Sequence, residues 1–210
     1  MITLQITQNC NLRCDYCIYS GKYNHREHSL KKMSKETARK SIDYYIRHSR
    51  DTKNLSIGFY GGEPLLCMDM IKYCVEYANK NAEGRKIKYS FTTNGTLFTK
   101  KLIQYFFEND FLITISMDGP AFIHDKNRRY AKSNKGTYET VMKNIKYIKK
   151  TYPRYYVENV NFSAVLDPSN DFSDINRFFM NNSYISKNDV LSTLVDDRYA
   201  KQAIPYNPKF

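Results

Sequence analysis

The chain has 210 residues, 41% of them apolar, and a formal charge of +12. That length suits one large domain, able to bury about 70% of the surface its unfolded form exposes, so no disulfide or metal staple is needed for folding. No apolar run approaches the roughly 20 residues that span a bilayer, and residues 1–7 lack the pattern of a secretory signal, so the expectation is a cytoplasmic protein without a membrane.

The excess of Lys and Arg suits an anionic partner: nucleic acid, an acidic peptide or a phosphate-bearing cofactor. A solvated Lys-rich surface is the plainer account. The charge is spread over segments such as 143–150, with one short basic cluster at Arg128-Arg129 and no Gly/Arg-rich segment, so nucleic acid is not the expected partner.

Short apolar strands alternate with amphipathic helices along the chain, the pattern of a parallel α/β sheet with crossover helices. The first strand is expected at 3–7 and the first helix from Ser34, as N-cap, to 48, with Ala38, Ile42, Tyr45 and Ile46 at helical spacing. Strands follow at 55–60, 87–92, 112–117 and 160–166, and helices at 66–82, 99–108, from Gly136 onward, and at 172–181. A sixth strand is expected at 190–195, and segments 21–32 and 119–135 read as long polar loops.

Just after the first strand stands Cys10-Asn11-Leu12-Arg13-Cys14-Asp15-Tyr16-Cys17. Three of five cysteines within eight residues suit a metal site better than a disulfide framework. A four-iron four-sulfur (4Fe-4S) cluster prefers four thiolates, so a site supplying three presents one iron to an exogenous ligand. The alternative is zinc, with His25 or His28 as a fourth ligand beside the three thiolates. Cys67 and Cys74 lie seven apart on the second helix and read as buried small side chains.

Four further elements follow strand ends. Gly61-Gly62-Glu63-Pro64 offers two glycines that permit close backbone approach to a ligand. Thr92-Thr93-Asn94-Gly95 is a turn with Asn94 free to bond a ligand, and the plain-turn reading stays open. Ser116-Met117-Asp118-Gly119-Pro120 and His124-Asp125-Lys126-Asn127-Arg128 come after the fourth strand. Asp118 and His124 read as turn-shaping side chains.

The CxxxCxxC run with an aromatic before its last Cys, together with these elements, resembles the radical SAM superfamily. The resemblance runs from residue 3 to about 197 and is closest to the SPASM/Twitch-type peptide maturases: the anaerobic sulfatase-maturase-like and thioether-forming members. It implies a partial TIM barrel, a (βα)5-6 core, with parallel strands inside and helices outside. It implies Cys10, Cys14 and Cys17 as ligands of a 4Fe-4S cluster and S-adenosyl-L-methionine (SAM) as the second cofactor. Tyr16 would lie near the adenine, Gly61, Gly62 and Glu63 would receive the methionine ammonium group, and Ser116 and Arg128 would hold the carboxylate and ribose, with Asn94 nearby. The implied partners are a peptide or protein substrate and an electron donor such as flavodoxin or ferredoxin.

Such maturases continue into a cysteine-rich auxiliary-cluster region, whereas no cysteine follows Cys74 here. Residues 1–197 are therefore expected to be the core and 198–210 a tail opening that region, in a core fragment or truncated product. A degenerate core that binds a partner without catalysis, and a zinc-containing nucleic-acid-binding module, are the rival functions.

Overall fold

The computed structural model describes residues 1–24, 27–196, 200–202 and 205–208. Its backbone is a single sheet of six parallel strands in the order β1-β2-β3-β4-β5-β6, namely Ile2–Thr7, Asn54–Gly61, Lys86–Thr93, Leu112–Ser116, Val160–Leu166 and Val190–Leu194. Strands that neighbour each other in sequence also neighbour each other in the sheet, so the sheet winds in one direction as an open, partial α/β barrel.

Helices α1 (Lys35–Arg47), α2 (Met68–Asn81) and α3 (Lys100–Glu108) carry the first three crossovers. Local chemistry starts them: Ser34 accepts from Thr37 N–H at 3.0 Å and Thr99 accepts from Leu102 N–H at 3.2 Å, as N-caps do. A short 3-10 turn, Pro64–Cys67, precedes α2, so Cys67 ends that turn and Cys74 lies inside α2. Both thiols are buried in the core, as expected of small apolar side chains.

Two helices are absent from the reading of the sequence. The expected polar loop at 119–135 contains α4 (Ala121–Asn127), whose buried face includes His124 and Asn127 and so lacks an apolar stripe to announce it. After α5 (Tyr138–Thr151) the chain turns at once into α6 (Pro153–Asn159), with Pro153 at a first-turn position where its missing N–H costs nothing. The last helix, α7 (Phe172–Asn181), starts at Asp171, which accepts from Ser173 N–H at 2.8 Å.

The core packs the helices onto the sheet through Ile42, Ile57, Ile71, Ile103, Ile113 and Ile145, with Phe59, Tyr89, Phe91, Phe106 and Phe111 in mutual ring contact. β6 differs: it pairs with β5, and all five of its residues are exposed. No helix among the described residues is long and apolar enough to cross a membrane.

Candidate functional site

Because all six strands run the same way, their C-terminal ends share one edge, and the loops leaving that edge meet there. A cavity of about 360 Å³ opens among them, within the size range of small-molecule sites. Cys10, Cys14, Tyr16 and Cys17 border it from the loop after β1, Gly61 and Gly62 from the end of β2 and the turn after it, Asn94 from just after β3, Ser116 from β4 and Arg128 from the end of α4. Cys10 and Arg128, 118 positions apart in sequence, are thereby gathered in one place, and Thr193 of β6 and Asp196 just beyond it border the same cavity.

The glycine turn meets a packing demand within the chain. Gly61 has φ +144°, and a Cβ there would stand 2.0 Å from Thr7 O, while a Cβ on Gly62 would stand 2.2 Å from Asn9 O. Gly62 N–H donates to Thr7 O and Glu63 N–H to Asn9 O, both at 2.9 Å. The close backbone approach is thus made to the cysteine-bearing segment itself. A register shift in β1 between Gln5 and Thr7 bends the strand into this contact.

The three thiols lie together on the cavity wall, with N–H groups approaching two of them. Leu12 N–H approaches Cys10 Sγ at 3.4 Å, Asn94 Nδ2 approaches the same sulfur at 3.8 Å, and Tyr19 N–H approaches Cys17 Sγ at 3.5 Å. Burial pushes the Cys10 thiol up to about 11 and the Cys14 thiol up to about 12, and it raises Cys17 as well. Uncomplexed, these groups stay protonated near neutrality, and iron would have to displace the protons. No three His, Cys, Asp or Glu side chains among the described residues are close enough to share one ion. A cubane suits such spacing because each thiolate has its own iron. His28 also borders the cavity, with Nε2 buried and unpartnered, whereas His25 lies outside the described residues.

The Glu63 carboxylate is fully buried and does not itself border the cavity, but it bonds two residues that do, Thr93 and Asn94. Oε1 accepts from Leu65 N–H at 3.0 Å and the Thr93 hydroxyl at 2.8 Å, and Oε2 from Asn94 N–H at 2.8 Å. Burial lifts this carboxyl to about 7 against the opposing pull of those donors. Asn94 is engaged as well: Nδ2 donates to Asn11 Oδ1 at 2.9 Å, and Oδ1 accepts from Thr96 N–H at 3.0 Å. It ties the end of β3 to the cysteine loop. Ser116 is paired in register with Ser163, which sets both hydroxyl-bearing residues on the cavity wall.

Arg128 is buried. Its Nε donates to Asp118 Oδ2 at 2.8 Å and its guanidinium lies 5.5 Å from the centre of the Tyr16 ring. The Tyr16 hydroxyl donates to the same Asp118 oxygen, and Val165 N–H donates to Oδ1 at 3.1 Å. Asp118 therefore works across the sheet instead of within its own turn, a role that sequence reading missed. His124 does hold the turn: its Nδ1 accepts from Asp118 N–H at 3.4 Å. The proton then sits on Nε2, which donates to Thr137 Oγ1 at 3.0 Å, and that hydroxyl donates to Arg128 O at 3.1 Å. Burial, then Arg128, push the imidazole down to about 4, so the ring is neutral at pH 7.

The sequence model of the Radical SAM superfamily matches residues 4–178. A serine-type anaerobic sulfatase-maturating enzyme of Bacteroides thetaiotaomicron is 36% identical over 172 residues, covering 79% of this chain and 41% of that protein. A cysteine-type anaerobic sulfatase-maturating enzyme of Clostridium novyi is 34% identical over 172 residues, covering 80% and 46%. The radical SAM cyclopropyl synthase TigE of Paramaledivibacter caminithermalis is 28% identical over 158 residues, covering 71% and 32%. The structure of anSMEcpe with bound AdoMet superposes with a TM-score of 0.80 at 24% identity, covering 99% of this chain and 56% of that one, a likeness of fold. The chain thus spans less than half the length of these curated relatives.

Proposed function

The chain belongs to the radical SAM superfamily, and we propose that it cleaves SAM reductively at a 4Fe-4S cluster held by Cys10, Cys14 and Cys17, for the modification of a peptide or protein. The observation that carries this reading is the meeting of all three thiols with Gly61, Gly62, Ser116 and Arg128 around one cavity at the C-terminal edge of the sheet. When bound, the cluster supplies an electron to the sulfonium of SAM, whose carbon-sulfur bond breaks to give a 5'-deoxyadenosyl radical.

The chain's own residues bind, orient and shield. Cys10, Cys14 and Cys17 would hold three irons, and backbone N–H groups at Leu12 and Tyr19 would donate to the sulfurs and stabilise their charge. The glycine turn would offer backbone groups, Ser116 a hydroxyl, and Arg128 the part of its fork that Asp118 leaves over. Tyr16, half-buried beside Cys17, would give an aromatic face to the adenine. Glu63 would act from behind the wall, by fixing the Thr93-Asn94 backbone.

Support for a peptide or protein substrate comes from the sulfatase-maturating relatives and from a related anSMEcpe structure with a bound peptide. A cytoplasmic setting and a flavodoxin- or ferredoxin-type donor belong to the same proposal, because the chemistry needs low-potential electrons. The test is an anaerobic assay of the reconstituted chain with SAM and dithionite, following 5'-deoxyadenosine and methionine by mass spectrometry. Both products are expected from the wild type and neither from the chain with Cys10, Cys14 and Cys17 changed to Ala. A fully loaded wild type that forms none would overturn the proposal.

A further inference from the structure

Four segments converge on one buried carboxylate: Asp118 takes the Tyr16 hydroxyl from the cysteine loop, Arg128 Nε from the end of α4, and Val165 N–H from β5, while itself following β4. Its side chain is 2% exposed and that of Arg128 is 8% exposed, so the pair is shielded from water and its geometry is held firmly. The same region ties the cysteine loop to the chain after α4 by backbone bonds, Arg13 N–H to Arg129 O at 2.9 Å and Asp15 N–H to Asn127 O at 3.3 Å. Tyr16 is the residue between Cys14 and Cys17 that reaches this carboxylate, and Tyr16 and Arg128 both border the cavity where Asp118 does not.

We propose that Asp118 is the positioning residue of the site: it fixes the Tyr16 ring and the Arg128 guanidinium on the cavity wall and so holds the cysteine loop in register with β4 and β5. Asp118 touches neither cofactor. It acts through the two side chains that would, and it spends one donor of Arg128 so that the guanidinium is presented at one angle. The inference rests on the SAM reading above.

The loop should be measured first in the cluster-free chain by hydrogen exchange. Asp118→Asn is expected to speed exchange of the 13–17 amides while the core strands stay protected. After anaerobic reconstitution, the expected result is near wild-type iron and sulfide, with SAM affinity, followed by the electron paramagnetic resonance signal of the reduced cluster, weakened roughly 10–100-fold. Tyr16→Phe, which removes only one hydroxyl, should weaken SAM in the same direction but less, and should add little in the Asp118→Asn background. A merely structural role would lower the melting temperature and iron content and leave SAM affinity of the loaded fraction unchanged, and that result overturns the inference. Wild-type SAM affinity in both single variants overturns it too. If the wild type itself loads a cluster yet binds no SAM, the functional reading fails, and this inference fails with it.

Discussion

Two buried acidic residues flank the cavity, and they are kept in opposite ways. Asp118 faces a cation, Arg128, besides the Tyr16 hydroxyl and Val165 N–H. Glu63 faces only neutral donors: two backbone N–H groups and the Thr93 hydroxyl. Charge pairing fixes the first corner and leaves it neutral in sum. The second corner keeps a carboxyl that burial raises to about 7, one that hydrogen bonds hold in place but do not neutralise. A rigid corner and a titratable corner thus support the same cavity from its two sides.

The largest effect is expected at the paired corner. Changing Arg128 to Met leaves the Asp118 carboxylate buried without its cation, and stability should fall by about 3–5 kcal/mol in a denaturant titration. The double change to Arg128→Met with Asp118→Asn should recover part of that loss. At the other corner, Glu63→Gln would turn an amide N–H toward Asn94 N–H, leaving both without acceptors, for a cost of about 1–3 kcal/mol.

The pH response separates the corners more finely. An acid whose folded value is raised stabilises at low pH and loses that contribution as pH rises, for Glu63 from 4.5 to about 7. A histidine whose folded value is lowered does the reverse: His124 contributes fully above 6.5, and the contribution is lost as pH falls toward about 4. The two slopes oppose each other where the windows overlap. Denaturation midpoints of the wild type should therefore vary little there, those of Glu63→Gln should rise with pH, and those of His124→Gln should fall with it.

The smallest effect belongs to the surface of the cysteine loop. Lys22 and Asp15 pair at 2.7 Å with side chains 60% and 56% exposed, and Lys22→Ala should cost under about 1 kcal/mol, shrinking further in salt.

Much of this arrangement could be read before any coordinates. The strand-helix alternation, the Ser34 cap and the short apolar runs carry local signals, and they translated into the parallel sheet and its order of elements. Helix α4 carried no such signal because its buried face holds His124 and Asn127, whose partners are supplied by Thr137 and Asp167 from elsewhere in the chain. The motif residues were legible as a set because each follows a strand, and parallel strands bring their ends together. Their individual bonds were not. Glu63 meets residues near 93, and Asp118 meets residues near 16 and 165, contacts that depend on which loops face each other across the cavity. The same holds for Gly61 and Gly62, whose neighbour is the backbone of Thr7 and Asn9.

The central claim is that the three thiols leave one iron open to SAM at this cavity. The direct measurement is electron-nuclear double resonance on the reduced, reconstituted chain with SAM labelled by nitrogen-15 and oxygen-17 in its amino and carboxylate groups. Hyperfine coupling of both labels to the cluster is the predicted result. A fully loaded cluster that binds SAM with no coupling to either label would contradict the claim.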